Sequence, residues 1–292
     1  MISKLFESTD FVQTVELWPP GYSLEGPAQP LDRQFSWLAE RVEILGEYFD
    51  AFHVADLKRP GRGYIDSVMT AVHLREKFPW IEVAPTLSAR DRNKKALQES
   101  VATSLFFGID NMILVWGDRF TEGEPGKSAN VYDVVGVSGL IQLARGVQGR
   151  TKSGGLCILT PIDLGKVKDA RYLAMIKARE KATSDVFLSQ IFAGEAEDYL
   201  SLIDIVRSEG VKSPILHNVF PFYGHADALD ISSRFGLPVS REILNQLKEG
   251  GAAAGVRIAS RFRQELHDNH GKVNGVFISS RGEPELAIRL VQ

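Results

Sequence analysis

Residues 81–118 read IEVAPTLSARDRNKKALQESVATSLFFGIDNMILVWGD, and the fold turns on how this stretch is parsed. Residues 81–84 are a short β-rich run that Pro85 is expected to end. Across 92–107, Leu97, Val101, Ser104, Leu105 and Gly108 recur at spacings of three and four, the periodicity of a helix. Gly108, followed by Asp110 and Asn111, stops that helix. Residues 111–116 carry a continuous apolar run without alternation, as a strand buried on both faces of a parallel sheet requires. The run ends in Gly117 and Asp118. A carboxylate just past the C-terminal end of a buried parallel strand stands where α/β folds place their chemistry. The plain alternative is that Asp118 caps the following loop.

The same strand-then-helix reading extends in both directions. Further strands are expected at 11–17, 51–55, 156–160, 186–191, 214–219 and 273–278. Helices are expected at 31–49, 65–77, 132–147, 169–182, 196–208, 226–235, 240–268 and 284–290, with a break in the long one at Gly250 and Gly251. Eight strands, each followed by a helix, is the count of an α/β fold of the (β/α)8 TIM barrel type. No linker or low-complexity segment divides the chain, so one barrel domain over 1–292 is expected. A doubly wound sheet is the alternative, because periodicity does not show closure.

Bulk composition narrows the class. The chain has 292 residues, 44% hydrophobic content and a formal net charge of −3, with 34 basic against 37 acidic side chains. No block of like charge stands out, so neither nucleic acid nor a membrane surface is an expected partner. The lone cysteine, Cys157, sits in the apolar run LCIL and reads as a buried, inert thiol. The N-terminal MISKLFESTDF has no apolar signal core, and no run is long enough to span a bilayer. A cytoplasmic enzyme or binding protein is expected, and a homo-oligomer is compatible with this composition.

In a barrel, functional residues gather at the C-terminal strand ends. Read in order these are Glu16, Asp56, Thr86, Asp118, Thr160 with Asp163, Gln190, Asn218 and Arg281, a polar set of carboxylates, amides and an arginine. No Cys/His group has zinc spacing, so no metal is expected. No serine lies in a Gly-x-Ser-x-Gly turn. His267 and His270 flank Asp268 where a helix ends, which reads as a solvated C-terminal turn. GEPGKS at 123–128 lacks the first glycine of a phosphate loop and does not follow a strand directly, so it reads as a polar loop. Glu16 lies between Val15 and Leu17. A carboxylate on an apolar strand is costly to bury unless paired or protonated, and desolvation favours the proton-bearing form that a general acid needs. A structural ion pair, for instance with Arg281, is the alternative.

PTLSARDRNKKAL followed by GIDNMILVWGD resembles the methylenetetrahydrofolate reductase family, in which a strand ending near Pro-His-Leu-Thr leads through a helix to a Gly-Ile-x-Asn-Ile-Leu-x-Leu-Arg-Gly-Asp strand. Further similarity runs from VELWPP at 15–20 to SQIF at 189–192, and the order and spacing hold over about 270 residues. The resemblance implies a closed barrel and reduction of 5,10-methylenetetrahydrofolate to 5-methyltetrahydrofolate. It gives Glu16 the place of the family's acid, in a Phe-Glu-Phe-Phe-Pro-Pro strand, and Asp118 the place of the aspartate that stabilises the iminium cation and holds the pterin. Gln190 takes the place of the pterin-edge glutamine, and Arg281 that of an arginine after the last strand. A tetrahydrofolate substrate and NADH or NADPH are therefore expected.

The departures from the family concentrate at flavin-contacting places. The strand-two threonine becomes Ala55, beside Asp56. The histidine of Pro-His-Leu-Thr becomes Thr86, and the arginine of Leu-Arg-Gly-Asp becomes Trp116. A tyrosine becomes Thr160, the ribose-side aspartate falls near Tyr172, and the phosphate lysine becomes Arg179. Losing several donors, each worth roughly 1–3 kcal/mol toward a charged group, should weaken FAD severely. Asp56, Thr86, Trp116, Thr160 and Arg179 remain the candidate cofactor-side residues. Two explanations are open: direct hydride transfer from NAD(P)H to folate without flavin, which is the preferred one, or a rebuilt flavin site. For Trp116, simple packing at the barrel top is an equal alternative to filling flavin space. A folate-binding barrel that serves methyl transfer or demethylation without reducing anything is a third class.

Overall fold

A computed structural model of the protein describes residues 1–23, 30–57, 62–117 and 133–292. Ten strands are described: β1 Val12–Leu17, β2 Gly21–Ser23, β3 Ala51–Val54, β4 Arg62–Tyr64, β5 Glu82–Ser88, β6 Asn111–Val115, β7 Cys157–Ile162, β8 Val186–Ser189, β9 Ile215–Val219 and β10 Gly275–Ile278. Eight of them close into a parallel barrel in the order β1-β10-β9-β8-β7-β6-β5-β3. The remaining two, β2 and β4, form a small antiparallel ribbon beyond the ends of β1 and β3. The helices are α1 Ile2–Ser8, α2 Leu31–Leu45, α3 Ser67–Lys77, α4 Lys94–Phe106, α5 Gly136–Thr151, α6 Ala170–Lys181, α7 Ala196–Ser208, α8 His225–Phe235, α9 Arg241–Asp268 and α10 Pro284–Val291. This is the (β/α)8 barrel expected from the strand count. The alternative doubly wound sheet is ruled out by the β1–β10 pairing that closes the ring.

Two concentric cores follow from the period of two along each strand. Val15, Leu17, Phe52, Val54, Val83, Leu87, Met112, Leu114, Ile158, Ile162, Phe187, Ile215 and Val219 face out, into the layer shared with the helices. Val12, Ala51, Ala84, Ile113, Cys157, Leu159, Val186, Leu188 and Leu216 face in. The inner core is capped from below by α1, which the sequence reading missed. Ile2 is fully buried in it, and the Ile2 amide donates to Asn111 Oδ1 at 2.7 Å.

Two strands run on past prolines that the sequence reading took as ends. β5 continues through Pro85 to Ser88, and β7 through Pro161 to Ile162. Successive residues of a parallel strand send their N–H groups to alternate neighbours, so a proline forfeits a bond on one side only. The Cys157 amide donates to Asp110 O at the foot of β6, while Gln190 N–H donates to Ile162 O on the other side. Pro161, in phase with Cys157, therefore has its missing donor toward β6. The β6–β7 ladder accordingly stops at Ile113 opposite Leu159, while β6 goes on to pair with β5 up to Val115 opposite Ser88.

Helix starts are locally specified where a side chain reaches back. Asp66 Oδ1 accepts from the Val68 amide at the start of α3, and Asn93 Oδ1 from the Ala96 amide at the start of α4. The break expected in α9 is present at Gly251, whose φ of 52° and ψ of −140° are not helical.

A buried polar chain ties α7 to the tops of β8 and β9. Tyr199 Oη donates to Ser189 Oγ at 2.7 Å and lies 2.9 Å from His217 Nδ1. Ser189 Oγ also accepts the Asn218 amide at 2.9 Å and donates to Gln190 O. Burial pushes the Tyr199 phenol well above its ordinary value. Tyr199→Phe strips partners from two buried groups at once, and a global loss of about 1–3 kcal/mol is expected. The midpoint of urea unfolding measures it; a midpoint equal to wild type would show that the chain does not support this layer.

Candidate active site

The mouth of the barrel is set by which residues at the strand ends point inward. Val12, in the inner core, puts Thr14 and Glu16 on the same side of β1. By the same alternation β5 turns Thr86 and Ser88 inward, β9 turns Asn218, and the residues just past β8 and β10 are Gln190 and Ser279. The structure thus brings Glu16, Thr86 and Gln190 to one mouth. Glu16 Oε2 accepts from Trp18 Nε1 and from Ser279 Oγ, each at 3.2 Å. Ser280 Oγ donates to the Glu16 carbonyl at 2.7 Å, which fixes the backbone beneath the carboxyl. Gly282, at φ 81°, lets the chain pass under the Trp18 indole: a Cβ there would lie 2.4 Å from the ring. Trp18, Ser279 and Ser280 were not singled out from sequence. Their only signal is position, next to a carboxylate on one edge and just past a strand on the other.

Asp56 and Arg281 reach the rim but are engaged in ion pairs. Asp56 Oδ2 accepts from Arg92 Nη1 at 2.5 Å and from the Ser88 amide at 3.2 Å, and Arg92 also reaches Asp66. Arg281 makes a two-pronged pair with Asp227, at 2.6 and 2.9 Å, and its guanidinium stacks 4.0 Å over the Tyr223 ring. Burial raises the Asp227 carboxyl, but the Arg281 guanidinium and the Tyr223 amide outweigh it and hold the group below its ordinary value. Arg281 itself adopts a φ of 54°, a left-handed conformation uncommon for an arginine, three residues past the end of β10.

Three of the expected cofactor-side residues point elsewhere. Because β7 continues through Pro161, Thr160 shares the outward face with Ile158 and Ile162, and its hydroxyl bonds Ser184 Oγ at 2.8 Å. Arg179 is 8% exposed beneath α6 and donates to Pro161 O at 2.6 Å. Burial lowers its pKa from the ordinary arginine value. Trp116 packs against the core shared with the helices. Asp118 and the 119–130 loop with its GEPGKS run lie outside the described residues.

These placements bear on a flavin. The family's flavin-contact places fall here on Ala55, Thr86, Trp116, Thr160 and Arg179, and the last three do not converge on the mouth. Among the described residues this set does not fit a flavin. Nor does any group of three or more His, Cys, Asp or Glu among the described residues form a metal cage. A groove of about 580 Å³ between α4 and α5, lined by Lys94, Gln98, Val135, Gln142 and Arg150, lies on the outer helical layer and takes no inward-facing strand residue. Among the described residues no helix is long and apolar enough to cross a membrane.

A family model described as methylenetetrahydrofolate reductase matches residues 11–278. No curated protein matches the chain. Among solved structures, an uncharacterised protein from Clostridium thermocellum, described as binding two copies of 5-methyl-5,6,7,8-tetrahydrofolic acid, is similar over 100% of this chain and 99% of its own, with a TM-score of 0.68 and 14% identity. Oxaloacetate acetylhydrolase is similar over 98% of this chain and 81% of its own, at a TM-score of 0.53 and 11% identity. For 2,3-dimethylmalate lyase the figures are 99%, 92%, 0.50 and 16%. At such identities these likenesses speak for the barrel alone.

Proposed function

Because the chain belongs to the methylenetetrahydrofolate reductase family, we propose that it reduces 5,10-methylenetetrahydrofolate to 5-methyltetrahydrofolate, with NADH or NADPH as direct hydride donor. The observation that carries this reading is the Glu16 carboxyl, turned into the barrel mouth and held at one oxygen by Trp18 and Ser279.

Glu16 gives its proton to N10 of the substrate. The bond from N10 to the methylene carbon breaks, its electron pair stays on N10, and the carbon becomes part of an iminium cation with N5. The Trp18 and Ser279 donors then stabilise the Glu16 carboxylate that is left behind. The reduced nicotinamide supplies the hydride that ends on the methylene carbon. Glu16 regains a proton from solvent, so the reaction consumes one proton and one reduced nucleotide per methyl group formed. In this reading Asp118 offsets the charge of the iminium, and Gln190 lies at the polar edge of the pterin. Arg281 and Asp227 form one rigid wall of the mouth. Thr86 is placed for the nicotinamide side. No step runs through a flavin, because Trp116, Thr160 and Arg179 are turned away from the mouth.

The described relative that binds 5-methyltetrahydrofolate favours a second reading, a folate-binding barrel that carries out no reduction. One experiment separates the readings. The purified protein is expected to be colourless and to oxidise NADH or NADPH only when methylenetetrahydrofolate is added, with intersecting initial-rate lines, because both substrates must be bound together. Stoichiometric flavin in the visible spectrum, or activity that requires added FAD, ends the direct-transfer proposal. Folate binding with no nucleotide oxidation leaves the second reading standing.

A further inference from the structure

His53 is the buried titratable group nearest in register to Glu16, and the reaction as described does not use it. On β3 it pairs with Glu16 of β1 on one side and with Ala84 of β5 on the other, and all three point inward. Its ring stacks on Phe277 of β10, with centroids 4.8 Å apart and planes 26° apart. Yet β1 lies between β3 and β10, and neighbouring strands are about 4.8 Å apart. The imidazole therefore leans across the face of β1. The inward residues of β1 there are Thr14, which pairs with Phe277, and Glu16 above it. His53 and Phe277 thus form the floor under the carboxyl that Trp18 and Ser279 hold at its rim.

That floor is polar without a visible purpose. His53 is 1% exposed, and neither Nδ1 nor Nε2 has a hydrogen-bond partner among the described residues. A buried imidazole left so costs free energy, and such groups call for an explanation. Around it Ala51 and Ala84 are small, Thr14 Oγ1 already donates to Val276 O, and among the described residues Glu16 is the titratable side chain on the surrounding strands' inward faces at this level. Asp56, three residues on along its own chain, is turned to Arg92.

We propose that His53 is a positioning residue for Glu16: its neutral imidazole, across one buried water, accepts the O–H of the protonated carboxyl from below and keeps the acid loaded until substrate arrives. An acceptor beneath the carboxyl favours its protonated form. Burial supports the assignment of a neutral ring, holding His53 down at about 3. When folate binds, N10 replaces His53 as acceptor and the same proton moves on.

The proposal rests on Glu16 being the acid, and its test is arranged so that the two fail separately. The infrared C=O band of the protonated carboxyl is followed against pH in the resting protein, without substrate, and assigned by its loss in Glu16→Gln. His53→Phe keeps the stack on Phe277 and removes both nitrogens. The band is expected to vanish at least one pH unit lower than in wild type, and kcat at neutral pH to drop by about tenfold. His53→Gln, whose side-chain oxygen is an acceptor, restores most of both. Because an unpaired buried polar ring is removed, His53→Phe should melt no lower than wild type. A band that titrates at the wild-type pH in a folded His53→Phe protein overturns the positioning role. A band that moves as expected in a protein that reduces no folate leaves the role intact and removes the reductase reading instead.

Discussion

Glu16→Gln is expected to turn over methylenetetrahydrofolate about 10²–10⁴-fold more slowly than wild type, with folate affinity little changed. The size follows from general acid catalysis, which contributes about that factor, and the pattern from what Gln keeps. Its side chain has the same length, and its oxygen still accepts from Trp18 and Ser279, the partners that hold Glu16 Oε2 at 3.2 Å. What disappears is the proton that opens the ring at N10. Single-turnover mixing of enzyme, reduced nucleotide and substrate isolates that step from product release. Asp118→Asn is expected to slow the same step while leaving nucleotide binding in place. Near-normal turnover in Glu16→Gln would remove the acid from β1 altogether, and a collapse of nucleotide binding in Asp118→Asn would move that carboxylate to the cofactor side.

Below about pH 6.5 the protein is expected to lose stability, and two buried histidines, His53 on β3 and His217 on β9, contribute to the slope. His53 and His217 are both fully buried, and burial holds each of them down at about 3 against an ordinary 6.5, with the Arg207 charge adding to the effect at His217. Above pH 6.5 each is neutral whether the chain is folded or not, and neither affects stability. Between pH 6.5 and about 3 the unfolded chain takes up a proton at each site and the folded chain does not. Folding is therefore penalised by about 1.4 kcal/mol per pH unit for each histidine. Urea unfolding midpoints at pH 7, 6, 5 and 4 measure the slope. The difference between wild type and a variant isolates each site from the carboxylates that titrate in the same range. His53→Phe should remove one histidine's share of the slope; an unchanged slope would mean that the ring is protonated in the folded protein.

The fold was legible because its signal is redundant. Eight apolar runs, each followed by a helical period, leave few other architectures, and misplacing an end by two residues changes nothing at that level. The site was less legible because it depends on facing, and facing flips with a single residue. Glu16 could be read: it is the polar residue between Val15 and Leu17, which both face the helices. Thr160 could not, since ending β7 at Pro161 hides that Ile158, Thr160 and Ile162 share the outer face. Arg179 followed from family position, and its long side chain runs beneath α6 to Pro161 O rather than toward the mouth. Helix α1 has seven residues and no side-chain cap, too short to hold alone; it exists because Ile2 finds the barrel's lower opening. His53 was not singled out from sequence, and the stack on Phe277 shows where its ring goes.

The prolines in β5 and β7 have a mechanical meaning beyond the strand ends they blur. Both stand on strands adjacent to β6, and Pro161 removes the next donor that β7 could offer it. Above the Ile113–Leu159 pair no further β6–β7 pairing is described, while β6 stays joined to β5 by bonds such as that from the Ala89 amide to Val115 O. The barrel wall therefore has a seam at its upper rim, between β6 and β7. Among the described residues the pairing along this seam stops at Ile113 and Leu159, as the β8–β9 ladder stops at Leu188 and Leu216. The strand tip beside the seam is that of β6, which the described residues follow as far as Gly117. Glu16 and Ser279 stand on and just past β1 and β10, across the ring from this seam, so the acid is mounted on the part of the wall that the gap leaves untouched.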